Sequence, residues 1–248
     1  MDMIKVIEEL SLNSWPAIQT MLYDGWILRF ANGYTKRSNS VNPLFSSLLN
    51  IEEKIQSCEK LYEKMGLDVV FKMTSRVFPR NLDRILESMG YMYDSPTSVQ
   101  ILELGNIDLS LARKAIFSEK LSREWLNDFC ELIRTKDKRK FSLKKILDNI
   151  VTAKCFASFR EEGQGPMICS GLGVLQGKYL GLYNIVTAVN FRDQGYGTRM
   201  VLNLLDWGKR KGAETAYLHV ELINKPALKI YSRLDFREIY RYWYRIKP

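Results

Sequence analysis

A chain of 248 residues with 46% hydrophobic and 26% charged side chains can bury a sizeable core and is too apolar to stay disordered. Its four scattered cysteines form no CxxC pair and it has a single histidine, His219, which excludes a multi-histidine metal centre and argues against zinc or a disulfide framework; no metal is expected. The formal net charge of +9 would draw anions, but aromatic residues do not interleave with the basic clusters, which speaks against nucleic acid, and no apolar run reaches the roughly 18 residues of a membrane span.

The opening segment reads as a helix with Trp15 and Trp26 nearby. Its Asp2, Glu8 and Glu9 are unlike a secretory leader, and a reducing cytoplasm is the expected compartment. Two strands are expected at 25–30 and 38–44, turned by Asn32-Gly33. A helix follows at 51–65, where Ile51, Ile55, Cys58, Leu61, Tyr62 and Met65 share one face and Gly66 is placed to end it. A strand at 68–73, a helix at 81–89 closed by Gly90, and a strand at 99–104 complete the first half.

Residues 105–111, with Gly105, Asn106 and Asp108, read as a joint, dividing the chain into units 1–105 and 106–248. Beyond it, helices are expected at 122–134 and 142–150, N-capped by Ser122 and Ser142. A meander of strands at 154–160, 166–176 and 178–187 follows, turned at 161–165 and at Gly177. A long helix, a strand at 216–221, a helix at 225–234 and a strand at 238–246 finish the chain. The order strand, helix, strand of 68–104 recurs at 216–246, which hints at two similarly built halves. The whole predicts an α/β architecture with a mixed sheet.

The chemistry concentrates at 183–198. A mostly apolar strand runs into a short polar loop, and a helix then opens with Gly195 and Gly197 before Met200, Val201, Leu204, Leu205 and Trp207 form a buried stripe. Unpaired N–H groups at a helix start, with the positive end of its dipole, suit a diphosphate, and glycine lets backbone approach closely. Gly195, Tyr196, Gly197 and Thr198 would give amides and Arg192 a charged fork. The segment lacks the GK[ST] ending of a P-loop and the third glycine of a dinucleotide fingerprint.

Thr187 through Thr198 resembles the Q/R-x-x-G-x-G/A acyl-CoA motif of the GNAT acetyltransferase superfamily. Residues 221–236, with Asn224, Ala227, Tyr231 and Phe236, resemble that superfamily's second motif, with Asp235 where glycine is usual. Residues 25–43 look like a subgroup with an added, degenerate GNAT-like domain. The resemblance implies a GNAT fold in 106–248, a GNAT-like unit in 1–105, and acetyl-CoA as acyl donor. It implies that the strands 178–187 and 216–221 splay apart, with Thr187, Ala188, Val189, Arg192, Asp193, Gln194, Gly195, Tyr196, Gly197, Thr198 and Asn224 about the cofactor. Tyr231 matches the general acid that protonates the leaving thiolate.

Glu221 and His219 alternate onto one face of their strand, and either could serve as base. Arg29, Tyr34, Arg37 and Asn39 could line an acceptor pocket or an interface between halves. The expected activity is N-acetylation of a small-molecule amine by direct attack, in a monomer or homodimer. The alternatives are a non-catalytic acyl-CoA sensor or scaffold, and a transferase modifying protein or nucleic-acid-associated lysines.

Overall fold

The computed structural model describes residues 2–105, 107–110, 112 and 115–248. The chain opens with α1 (Met3–Ser14), which buries Ile7, Glu8, Leu10, Ser11 and Ser14. Asp24 and Gly25 then take positive φ, 43° and 81°, and fold β1 (Gln19–Tyr23) onto β2 (Trp26–Phe30). The sequence hides β1 because four of its five residues are exposed, leaving no apolar alternation to read. Asn32 and Gly33 do turn the chain, with φ of 53° and 68°, but they lead into a 3-10 turn at Lys36–Ser38. The strand expected at 38–44 therefore shrinks to β3 (Val41–Asn42).

Next come α2 (Ile51–Lys64), β4 (Val69–Met73), α3 (Leu82–Ser88) and β5 (Met92–Glu103). In α2 the buried face is Lys54, Ile55, Cys58 and Tyr62, whereas Met65 lies past its end and is exposed. β5 starts seven residues before the apolar run that announces it, because its first part is polar yet central: Thr97 and Ser98 are buried. Of the expected joint at 105–111, Asn106 and Leu111 lie outside the described residues.

The second half holds β6 (Ile116–Ser118), α4 (Arg123–Leu132), α5 (Asp137–Asp148), β7 (Ala153–Arg160), β8 (Met167–Gln176) and β9 (Tyr179–Thr187). Then follow α6 (Tyr196–Arg210), β10 (Thr215–Glu221), α7 (Lys225–Arg233) and β11 (Arg237–Lys247). Ser122 caps α4, accepting the Trp125 N–H at 3.0 Å. The expected cap at Ser142 is corrected: α5 starts five residues earlier, and Ser142 is buried within it, its hydroxyl accepting from Asn32 Nδ2 at 3.2 Å. The run 136–145 is basic and shows little apolar periodicity until Leu143, which is why the first turns of α5 are not legible.

All strands form one sheet in the order β1-β2-β3-β4-β11-β5-β10-β9-β8-β7-β6. From β1 to β4 the pairings run antiparallel, antiparallel, parallel, and from β7 to β10 they repeat that series. The halves are thus alike in topology, and they exchange their last strands. β11 lies between β4 and β5, and β5 lies between β11 and β10. One face of the second half is covered by α6 and α7 over Leu180, Leu182, Ala216 and Leu218. The other face is covered by α1, α4 and α5 over Tyr183, Tyr217 and the buried tyrosines of β11. A separate core joins α2 and α3 to β2 and β4.

Candidate active site

β9 and β10 run side by side only as far as the pair Leu182 and Leu218. Past that point His219, Val220 and Glu221 stay with β5, opposite Val99, Ser98 and Thr97. Val186 and Thr187 stay with β8, opposite Ser170 and Cys169. The two parallel strands therefore part, as expected. The pairing of β8 with β9 slips between Ser170 and Leu172, and Asn184 takes φ of 51° there. This is a β-bulge, which re-aims the backbone just where the gap opens. An asparagine inside an apolar strand tolerates the left-handed region, and that was its signal in the sequence. Asn184 carbonyl accepts from Ser170 Oγ at 2.8 Å, while its Nδ2 is buried without a partner.

Beyond Thr187 the backbone of Ala188 is tied down by its N–H to Ile168 carbonyl, and Val189–Phe191 forms a 3-10 turn. Arg192 Nε donates to Thr187 carbonyl at 3.3 Å, so the expected charged fork braces the loop. The strand edge left facing the gap is 184–187, and Val189 is already inside the turn. α6 then begins. Gly195 stands at its N-cap with φ of 79°, and its carbonyl accepts the Arg199 N–H. The N–H groups of Asp193, Gln194, Gly195, Tyr196, Gly197 and Thr198 find no well-aligned acceptor among the described residues, and Asp193, Gln194 and Gly195 are exposed. Six free amides at a helix start make a receptor for a diphosphate.

The two glycines serve different ends. A Cβ at Gly195 would meet nothing within 4 Å, so its positive φ is what calls for glycine. At Gly197 a Cβ would stand 3.1 Å from Ile230 Cδ1, so this glycine lets α7 approach the start of α6. Asn224 caps α7, with Oδ1 accepting the Ala227 N–H at 3.2 Å. Asp235 takes φ of 63°, the left-handed corner expected where the motif usually has glycine.

Tyr231 lies on α7, buried, with its ring 5.7 Å from Phe236 in an edge-on contact. Burial pushes its phenol up to about 12, so it is protonated at neutral pH and has a proton to give. Glu221, at the end of β10, is exposed. His219 projects to the opposite face from α7, toward α1. Its Nε2 lies 2.7 Å from Ser11 Oγ, and its Nδ1 is buried without a partner. Tyr217, one alternate position earlier, meets Ser14 Oγ at 2.8 Å and the Tyr183 hydroxyl at 3.2 Å. The two serines of α1 carry no sequence signal that links them to β10, since they pair across more than 200 residues.

Two family models cover the chain. One, described as "Probable histone acetyltransferase Rv0428c C-terminal", matches residues 2–103. The other, "Acetyltransferase (GNAT) family", matches residues 112–236. Over 253 aligned positions, spanning 100% of both chains, the sequence is 31% identical to the uncharacterized N-acetyltransferase YobR of Bacillus subtilis (strain 168). The chain belongs to the GNAT acetyltransferase family. A second relative, N-alpha-acetyltransferase 30 of Schizosaccharomyces pombe, is 28% identical over 49% of this chain and 86% of its own length. Among solved structures, a GCN5-related N-acetyltransferase from Kribbella flavida superposes with a TM-score of 0.69 at 12% identity, covering 100% of this chain and 96% of that one. A tandem GNAT protein from the clavulanic acid biosynthesis pathway gives a TM-score of 0.63 at 12% identity, covering 78% of this chain and 68% of that one. At such identities the likeness is one of fold. No helix among the described residues is long and apolar enough to cross a membrane.

Within this GNAT chain the first half repeats the strand-loop-helix unit at β3, 43–50 and α2, but its amides are already taken. The Asp24 carboxylate accepts from the N–H groups of Leu48 and Leu49 at 3.1 Å and from Ser47 Oγ at 2.6 Å, and pairs with Lys54 Nζ at 3.0 Å. Asn50 Oδ1 takes the next two N–H groups, of Glu52 and Glu53. These bonds, Ser47 first, hold the Asp24 carboxyl well below the usual carboxylate range. The chain's own carboxylate stands where α6 offers free donors.

Proposed function

We propose that this protein is an N-acetyltransferase that takes its acyl group from acetyl-CoA and gives it to the amine of a small molecule. The observation that carries this reading is the set of unpaired amides from Asp193 to Thr198 beside a gap between parallel strands. Bound there, acetyl-CoA would supply an activated acyl group as a thioester. The amides at the start of α6 would hold its diphosphate, and the free edge 184–187 would pair with its amide-bearing arm in the manner of an added strand. Tyr231 Oη would donate its proton to the leaving sulfur; a phenol raised to about 12 keeps that proton until a thiolate develops. Backbone N–H groups at the Asn184 bulge would stabilise charge on the acyl oxygen.

The amine's proton needs an acceptor. Glu221 is open to solvent at the end of β10, whereas the His219 imidazole is part-buried and held well below its ordinary value, which makes it a weak base, so Glu221, directly or through water, is the base this reading favours. Isothermal titration with acetyl-CoA and with desulfo-CoA tests the binding step, and thiol release with a panel of amines tests transfer. In Tyr231→Phe, release should fall by about 100-fold with affinity for desulfo-CoA unchanged. No binding of either cofactor would reject the transferase and the sensor readings together. Tight binding with no thiol release from any amine would leave the protein an acyl-CoA sensor.

A further inference from the structure

On the α1 side of the gap stands a cluster drawn from both halves. Tyr183 is the first β9 residue past the last parallel pair, and the Arg37 guanidinium lies 5.8 Å from the centre of its ring. His219 is the first β10 residue past the same pair, and its ring packs on Tyr242 of β11 at 5.5 Å. Burial, then the charges of Arg37 and Lys72, holds this imidazole well below its ordinary value of 6.5.

The other cations here are provided for. Lys72 pairs with Glu8 at 2.6 Å, and Glu8 also accepts from the Tyr240 hydroxyl. Arg29 donates to the carbonyls of Leu12, Trp15 and Arg37. Arg37 is part-buried among tyrosines and hydrogen-bonds Tyr242; among the described residues no carboxylate pairs with it, and its Nε is closed off without a partner. His219 Nδ1 is unsatisfied in the same way. An unsatisfied guanidinium nitrogen and a nearby unpaired imidazole nitrogen are two polar atoms that an incoming group can satisfy. Among the described residues neither atom has a hydrogen-bond partner.

We propose that Arg37 anchors an anionic group, a carboxylate or a phosphate, on the acceptor, so that the amines this enzyme acetylates carry such a group and are held between the two halves. This deepens the transferase reading and rests on it. α6, which offers the free amides, packs on the opposite face of the sheet from α1. The cofactor's diphosphate and the acceptor's anion are therefore met from different sides, and the amine reaches the acyl group through the gap. A fork-shaped guanidinium suits a planar carboxylate or a phosphate in two-point contact. The net charge of +9 favours the approach of such a molecule and opposes a polyamine.

The test is calorimetric, on the full chain loaded with CoA, using acetylated products as probes. N-acetylglycine carries the carboxylate, N-acetyl-O-phosphoethanolamine the phosphate, and N-acetylethanolamine neither. At least one anionic probe is expected to bind about tenfold or more tightly than the neutral one, and which one binds separates the two sources of charge. Arg37→Gln should remove that preference while the affinity for CoA is kept. Equal binding of charged and neutral probes, or a preference that survives in Arg37→Gln, overturns the proposal. If CoA itself fails to bind, the transferase reading falls first, and the same titrations on the unloaded protein still decide whether Arg37 holds an anion.

Discussion

His219 is the only histidine in the chain, so its protonation can be followed without interference from another. Its folded pKa is lowered by burial and by Arg37 and Lys72, so the unfolded chain takes up a proton near 6.5 that the folded one refuses. Between those two values the unfolded state binds more protons, and stability rises with pH; the contribution is complete above 6.5 and is lost as pH falls below it. Denaturation midpoints should therefore drop between about pH 7.5 and about pH 5.5, and His219→Gln should flatten that slope. Identical slopes in the two proteins would mean that the ring titrates in the fold as it does in the unfolded chain.

What was legible at this scale follows range. Asn224, Gly195 and Asp235 do work within a few residues of themselves, so spacing sufficed to place them. The contacts of His219 and Tyr217 with α1 could not be read, because no local pattern links a helix to a strand so distant in the chain.

Between elements, the strongest tie of α1 to the sheet is ionic. Glu8 and Lys72 are both almost fully buried and 2.6 Å apart, and Tyr240 donates a further hydrogen bond to the same carboxylate. Replacing Glu8 by Ala leaves an ammonium and a phenol stranded, at a cost of about 3–5 kcal/mol, whereas Glu8→Ala combined with Lys72→Met should recover most of it. Urea midpoints of the two variants measure the difference. A loss no larger in the single variant than in the double one would mean that the pair is not desolvated.

The two strand-loop-helix units differ in the same currency of free and occupied donors. Because Asp24 and Asn50 occupy the amides around the start of α2, one acetyl-CoA is expected per chain. A titration stoichiometry of two would show that the Asp24 carboxylate yields its place. The first half has no R-x-x-G-x-G of its own, but nothing in the sequence says that Asp24, from the β1–β2 hairpin, fills the space, since β1 and its turn left no pattern to read.

The exchange of last strands bears on how the molecule folds. Each half read by itself ends in a strand, the first of them expected seven residues too short at its start, and the topological likeness of the halves was visible as a recurring order of elements. Which strand pairs with which was not visible, because β5 and β11 are both long, follow a short helix, and could each close on the strand before that helix. The structure has β11 on β4 and β5 on β10. A fragment of residues 1–105 thus lacks the neighbour of β4, whose five residues are all buried. A fragment of residues 106–248 lacks β5, the strand that separates β10 from β11 and pairs with β10, one wall of the gap.

Each fragment alone would expose central strands with unpaired backbone groups and apolar faces, a state that aggregates or stays molten. Co-expressed, the two fragments should associate into a complex that binds acetyl-CoA, and the intact chain should unfold in one transition. Amide spectra of the separate fragments decide the matter. A well-dispersed, monomeric spectrum for 106–248 with cofactor affinity intact would mean that β11 can close directly on β10, and that the exchange is a convenience of linkage rather than a condition of folding. Dispersion that returns only on mixing would make the gap between β9 and β10, one wall of which is held in place by β5, a property of the whole chain.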